Sequence, residues 1–136
     1  MSVRQLRLVV TAEDFDAAVR FYRDVLGLPE LAAISGDRGN VTILDAGRAT
    51  LELTDPDHAE FIDEVEVGAR VAGHIRVAFQ VDDGKESTRM LAEAGAAVLA
   101  EPRRTPWGSL NSRLDAPAGL QLTLFEEPAD GERFAE

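Results

Sequence analysis

Gln5-Leu6-Arg7-Leu8-Val9-Val10-Thr11 and His74-Ile75-Arg76-Val77-Ala78-Phe79-Gln80-Val81 decide the fold. Each is a short apolar run with alternating faces, which predicts a strand. Each carries an arginine at the same place, and each precedes a helical segment that ends in glycine. Thr11 and Asp14 give the first helix a capping-box-like start. Phe15, Ala18, Val19, Tyr22, Val25 and Leu26 follow at helical spacing, so a buried stripe is expected, and Gly27 closes the helix. Short strands are expected around Ala32, from Val41 to Leu44 and from Ala49 to Thr54, with turns at Gly36, Gly39 and Gly47.

The second half repeats this order. Asp82-Asp83 opens a helix, Met90, Leu91 and Ala94 give it an apolar stripe, and Gly95 ends it. Strands then read around Ala97 to Leu99, Leu110 to Leu114 and Leu120 to Phe125. Arg7 to Arg76 spans 69 positions, Gly27 to Gly95 68, and Glu52 to Thr123 71. Three landmarks shifted by nearly the same amount mark an internal repeat. The expected organisation is one domain over 1–127, with a first module at 4–54, a linker at 55–71 and a second module at 72–127. The linker is acidic and predicts a short helix around Phe61, Ile62 and Val65; residues 128–136 read as a loose tail.

The chain has 136 residues, enough for one domain with a useful core. It contains no cysteine, so disulfides, thiolate metal sites and cysteine nucleophiles are excluded. No run is apolar enough to span a bilayer, and the N-terminus lacks a secretory pattern. A cytoplasmic protein without a membrane partner is the expectation. The net charge of −11 and the scattered basic residues argue against a nucleic-acid partner.

Four strands share a mixed face. Arg7, Val9 and Thr11 oppose Leu6, Leu8 and Val10; Thr50, Glu52 and Thr54 oppose Leu51 and Leu53. His74, Arg76, Ala78 and Gln80 oppose Ile75, Val77, Phe79 and Val81; Gln121, Thr123 and Phe125 oppose Leu120, Leu122 and Leu124. The apolar sides suit packing under the helices. The other side is either a solvated sheet face or, if the sheet curls, a concavity that gathers Arg7, Glu52, Arg76 and Thr123. In that case Glu52 partners the two arginines and one positive charge is left over.

The pattern resembles the vicinal oxygen chelate superfamily, which includes glyoxalase I, bleomycin-resistance proteins and ring-cleaving dioxygenases. The carrying segments are Leu6–Val10 through Asp14-Phe15, then Phe21-Tyr22 and Leu26-Gly27-Leu28, Leu51-Glu52-Leu53, Val77–Asp83, Pro106-Trp107-Gly108 and Asp115–Gly119. The resemblance implies an α+β fold: two βαβββ modules forming a cup-shaped mixed sheet with helices on its outer face, often as a homodimer. It also implies metal ligands at Arg7, Glu52, Arg76 and Thr123. Only Glu52 is a ligand type; arginine offers donors alone. Loss of the metal is therefore expected, with no cofactor. The alternative is a divalent ion held by Glu52 and His74, which lies two residues before Arg76 on the same strand face. His58 reads as a solvated turn or helix-start residue. Trp107, the single tryptophan, suits either surface packing or a lid that stacks on a ligand. Tyr22 reads as core, and Thr50 and Thr54 as strand formers that could line the cup.

Three functions remain open on sequence. One is a small-molecule-binding protein whose cup takes an anionic or aromatic ligand at Arg7, Glu52, His74, Arg76, Trp107 and Thr123. The second is a lyase, isomerase or dioxygenase, metal-dependent or arginine-clamped, with Glu52 as candidate catalytic base. The third is a purely structural Arg7–Glu52–Arg76 network.

Overall fold

The computed structural model describes residues 1–129. Strand β1 (Val3–Thr11) leads into α1 (Phe15–Val19), which continues as a π-helical segment, Arg20–Val25. Strands β2 (Glu30–Gly36), β3 (Gly39–Asp45) and β4 (Thr50–Thr54) complete the first half. Helix α2 (Pro56–Glu66) joins it to β5 (Ile75–Val81), α3 (Gly84–Glu93), β6 (Ala97–Arg104), β7 (Leu110–Ala116) and β8 (Leu120–Glu126). The expected loose tail lies, from Asp130 on, outside the described residues.

All eight strands form one sheet in the order β2-β3-β4-β1-β5-β8-β7-β6. Each half contributes the same sub-order, with β1 parallel to β4 and β5 parallel to β8. The halves meet where β1 pairs antiparallel with β5. That register sets Val9 opposite both Glu52 and Arg76, and Ala78 opposite both Arg7 and Thr123. The duplicated α+β architecture is therefore as expected, and the repeat brings Arg7, Glu52, Arg76 and Thr123 to the centre of one face.

On the opposite face, α1 packs Val19 with Leu44 and Leu53, supported by Phe15, Ala18 and Tyr22. Helix α3 packs Leu91 near Val81, Leu114 and Leu124. Two parts of the helix patterns differ from expectation. Val25 and Leu26 are exposed, because the first helix widens to a π turn in which Leu26 N–H donates to Phe21 C=O, five residues back. The wider turn rotates the stripe off the sheet. In α3, Met90 is exposed while Ser87 and Thr88 are buried. The Thr88 hydroxyl reaches Gly84 C=O at 2.6 Å and Ser112 Oγ at 2.8 Å, so both hydroxyls are satisfied.

The expected linker helix forms as α2, and the sequence did not fix its place in the fold. It lies on the inner face of the sheet, against β3 and β7, not with α1 and α3 outside. Its N-terminus is held by Asp55, whose carboxylate accepts from His58 N–H (2.9 Å), Asn40 N–H (3.0 Å) and Asn40 Nδ2 (2.9 Å). Gly39 has φ +87°, and a Cβ there would collide with the Asp55 carboxylate and the His58 backbone nitrogen. The C-terminal end is held by buried charge. Arg113 is fully buried; its Nη1 donates to Asp63 (2.8 Å) and Gln121 (2.7 Å), and its Nε and Nη2 donate to Glu66 at 3.0 and 2.8 Å. Glu66 also accepts from Asn111 Nδ2 (2.7 Å) and Thr123 Oγ1 (2.8 Å). Asp63 further accepts from Arg70 and from the Val71 and Ala72 N–H groups.

Removing one member of such a network strands the others. Glu66→Ala should cost about 3 kcal/mol in urea unfolding, whereas Glu64→Ala, at a half-exposed pair with Arg38, should stay within about 0.5 kcal/mol. Burial pushes the Asp63 carboxyl up, but hydrogen bonds from Ala72, Arg113, Arg70 and Val71 outweigh it and hold the group below the usual range. A depressed carboxyl stabilises the fold above its unfolded pKa and loses that contribution as pH falls through the folded value. Wild-type stability should therefore drop below about pH 4, and Asp63→Asn should flatten that part of the stability–pH curve.

Candidate functional site

The inner face and α2 enclose a cavity of about 70 Å³, with room for several waters. Arg7, Glu52, Arg76 and Thr123 all line it, one from each of β1, β4, β5 and β8. Trp107, Phe125, Ile34, Val41 and Ile43 give it apolar walls, while His58, Ile62 and Glu66 project from α2. The curled-face reading thus holds against the solvated one. Thr50 faces inward without lining this cavity, and Thr54 borders a smaller void beside Arg76; neither hydroxyl has a hydrogen-bond partner among the described residues.

The two histidines exchange places relative to expectation. His74 is exposed, precedes β5 and lies outside the cavity lining; its carbonyl accepts from Thr11 N–H at 2.9 Å. The chain is still turning into β5 there, so His74 does not share the inward alternation of Arg76. His58, expected to be solvated, is buried in the first turn of α2 and lines the cavity. Its Nδ1–H donates to Arg38 C=O at 3.2 Å. Burial pushes the imidazole below its usual range, against the opposing pull of Glu52, and so favours the neutral ring.

The two arginines differ. Arg7 Nε donates to Gln5 at 2.9 Å, Nη1 lies 4.0 Å from Glu52, and the guanidinium sits 4.5 Å from the Phe125 ring centroid. Arg76 is more deeply buried. Among the described residues its guanidinium makes one hydrogen bond, from Nη1 to Thr123 Oγ1 at 2.8 Å, and no salt bridge. Burial pushes Arg76 below the usual arginine range, with Glu66 opposing. Glu52 therefore pairs with Arg7 and not with both arginines as expected.

The expected surplus of positive charge is also absent. Arg113 and Arg70 join the group through Asp63 and Glu66, and Glu127 lines the cavity, so four guanidiniums face four carboxylates. The sequence signal for Arg113 was available: Asn111, Arg113 and Asp115 alternate with Leu110, Ser112 and Leu114. Asp63 and Glu66 carried less signal, because acidic helix residues usually face solvent. Trp107 is half-buried, and its ring lies 6.2 Å from Phe61 of α2, which in turn lies under Arg38. The tryptophan thus ties the β6–β7 turn to α2 and borders the cavity at once.

The four central side chains do not suit a divalent cation. Guanidinium has no lone pair to donate, Thr123 already accepts from Arg76 and donates to Glu66, and Glu52 is the one remaining ligand type. Among the described residues there is no group of three His, Asp or Glu side chains placed to hold a metal ion.

No curated protein matches the chain. Solved structures share the fold. A hypothetical protein from Bacillus halodurans C-125 aligns with TM-score 0.70 and 18% identity, over 93% of this chain and 96% of its own. Methylmalonyl-CoA epimerase of Streptomyces coelicolor, in complex with 2-nitronate-propionyl-CoA, aligns with TM-score 0.66 and 24% identity, over 96% and 99%. A glyoxalase/bleomycin resistance protein/dioxygenase superfamily member from Vibrio splendidus 12B01 aligns with TM-score 0.64 and 13% identity, over 93% and 100%. A sequence model of the Glyoxalase/Bleomycin resistance protein/Dioxygenase superfamily matches residues 4–135. With its duplicated modules joined through β1 and β5 and Arg7, Glu52, Arg76 and Thr123 at the base of the cup, this chain belongs to that superfamily.

Proposed function

We propose that the cup is a metal-free binding site for a small organic molecule with an apolar or aromatic body and an oxygen-bearing group. The observation that carries this reading is the division of the cavity wall. Ile34, Val41, Ile43, Phe125 and Trp107 suit an apolar body, and Arg7 and Arg76 supply donors beside them. The inherited metal site is degenerate in this reading, because guanidinium replaces two of its four ligand positions. Arginine can hold an oxygen by hydrogen bonds, which is what a metal would otherwise do by coordination. A homodimer is carried forward with it: Leu6, Leu8 and Ile75 leave an uncovered apolar seam on the outer face of β1 and β5.

A second reading is an arginine-clamped isomerase or lyase. The proximity of the Glu52 carboxylate to Arg7 in the same cavity favours it, as does the likeness to an epimerase of coenzyme A esters. There Glu52 would take a proton from carbon while guanidinium steadies the developing oxyanion.

The single tryptophan lines the cavity and is a built-in reporter. Titration with aromatic carboxylates, neutral aromatics and acyl-CoA esters should give saturable changes in Trp107 emission and a raised Tm for at least one class. Silence from every class would contradict the binding reading. For the second reading, wild type should exchange substrate-carbon protons of an acyl-CoA ester into deuterated water, and Glu52→Gln should lose this at least about hundredfold. Exchange that survives Glu52→Gln removes that role. Sedimentation should report a dimer that Leu8→Glu dissociates.

A further inference from the structure

We infer that Arg76 is the ligand anchor of the cup and that it selects a singly charged carboxylate, the ligand being an apolar or aromatic monocarboxylate; this rests on the binding role proposed above.

The inference comes from how the buried charges are shared out. Arg113 has an acceptor at each of its three nitrogens, from Asp63, Glu66 and Gln121. Arg7 is held by Gln5, Glu52 and the Phe125 face. Arg76, 92% buried, has Thr123 Oγ1 as its one hydrogen-bond partner among the described residues. That hydroxyl gives its own proton to Glu66 and also accepts from Arg113, so it is a shared and neutral partner. A guanidinium has five N–H donors. Most of those on Arg76 therefore meet no acceptor among the described residues, although the residue lines the cavity. A buried cation served by one neutral acceptor is a standing cost to the fold. An incoming carboxylate removes that cost and gains a charge-assisted, forked contact.

The same charges limit the ligand to one negative charge. Glu52 and Glu66 both act on Arg76 through space, and Glu127 lines the same cavity. A monoanion pairs with Arg76 directly; a second charge would face these carboxylates in a confined space. The rest of the ligand meets aliphatic and aromatic walls, which suit an apolar body.

A structural arginine and an anchoring arginine respond oppositely to removal. If Arg76 holds the fold together, Arg76→Met lowers the Tm of the ligand-free protein. If it waits for a ligand, Arg76→Met leaves that Tm unchanged or raised, because an unpaired buried charge is replaced by an apolar chain. Acetate, benzoate and 2-naphthoate, neutral benzamide and dianionic phthalate are titrated into wild type, Arg76→Met and Arg76→Lys, with Trp107 emission and Tm as readouts. The expected result is binding of at least one monocarboxylate, weaker or no binding of benzamide and phthalate, and loss of at least about tenfold in affinity in Arg76→Met. Arg76→Lys keeps the charge without the fork, so it should fold and bind monocarboxylates less tightly than wild type; this variant decides if Arg76→Met does not fold. Monocarboxylate affinity unchanged in both variants overturns the anchor, as does a preference for phthalate or benzamide. If neutral aromatics bind and no monocarboxylate does, the cup remains a binding site and the anchor alone fails. If nothing binds, both fail.

Discussion

Arg113 cannot be buried alone, and most of the cup follows from that. It stands on β7 facing inward with no water to solvate it. Asp63 and Glu66 must come to it, and both are on α2. The linker between the two halves is therefore drawn into the concavity and cannot run around its outside. Gly39 and Asp55 secure the other end of the helix, where β3 and α2 approach too closely for a side chain on residue 39. Once seated, α2 fills the part of the cup beside β7, brings His58 and Ile62 in as walls, and leaves the space over Arg7, Glu52 and Arg76 as the cavity.

The duplication makes the asymmetry of that cavity visible. Val41 and Ile43 on β3 stand where Asn111 and Arg113 stand on β7, since the repeat offset is close to 70 residues. The first half therefore offers an aliphatic wall and the second a polar one that α2 has already satisfied. Arg76 lies between them, next to the centre of the sheet. In the superfamily to which the chain belongs, the strand positions of Arg7, Glu52, Arg76 and Thr123 are those at which the resemblance implies metal ligands. Here they form hydrogen bonds and a loose ion pair among themselves. In the function proposed above, the fold keeps a shared place for recognising oxygen while the chemistry of recognition changes from coordination to donation.

The sheet and its two outer helices were legible because period-two alternation and glycine-terminated helices are local signals, and the chain states each of them twice. Arg7, Glu52, Arg76 and Thr123 could be placed together for the same reason: strand alternation fixes a face, and the repeat fixes the level along it. The position of α2 was not legible. Its buried face comprises His58, Ala59, Ile62, Asp63 and Glu66, so the inward stripe is as polar as the outward one. The charge that draws both Asp63 and Glu66 inward is Arg113 on β7, nearly 50 residues away. Read without α2, the cup carries one positive charge too many. His74 illustrates a smaller limit: alternation counts faces only where the chain is already extended, and β5 begins one residue later.

The central claim is that guanidinium, not a metal ion, receives the ligand's oxygen. Calorimetric titration of chelator-treated protein with nickel, zinc and manganese(II) tests it most directly. The expected result is no saturable binding, because two of the four positions at the base of the cup are arginines and His74 lies outside it. Stoichiometric binding of about one ion per chain, lost in Glu52→Ala, would contradict it, since Glu52 would then be a ligand and the arginines would have moved aside.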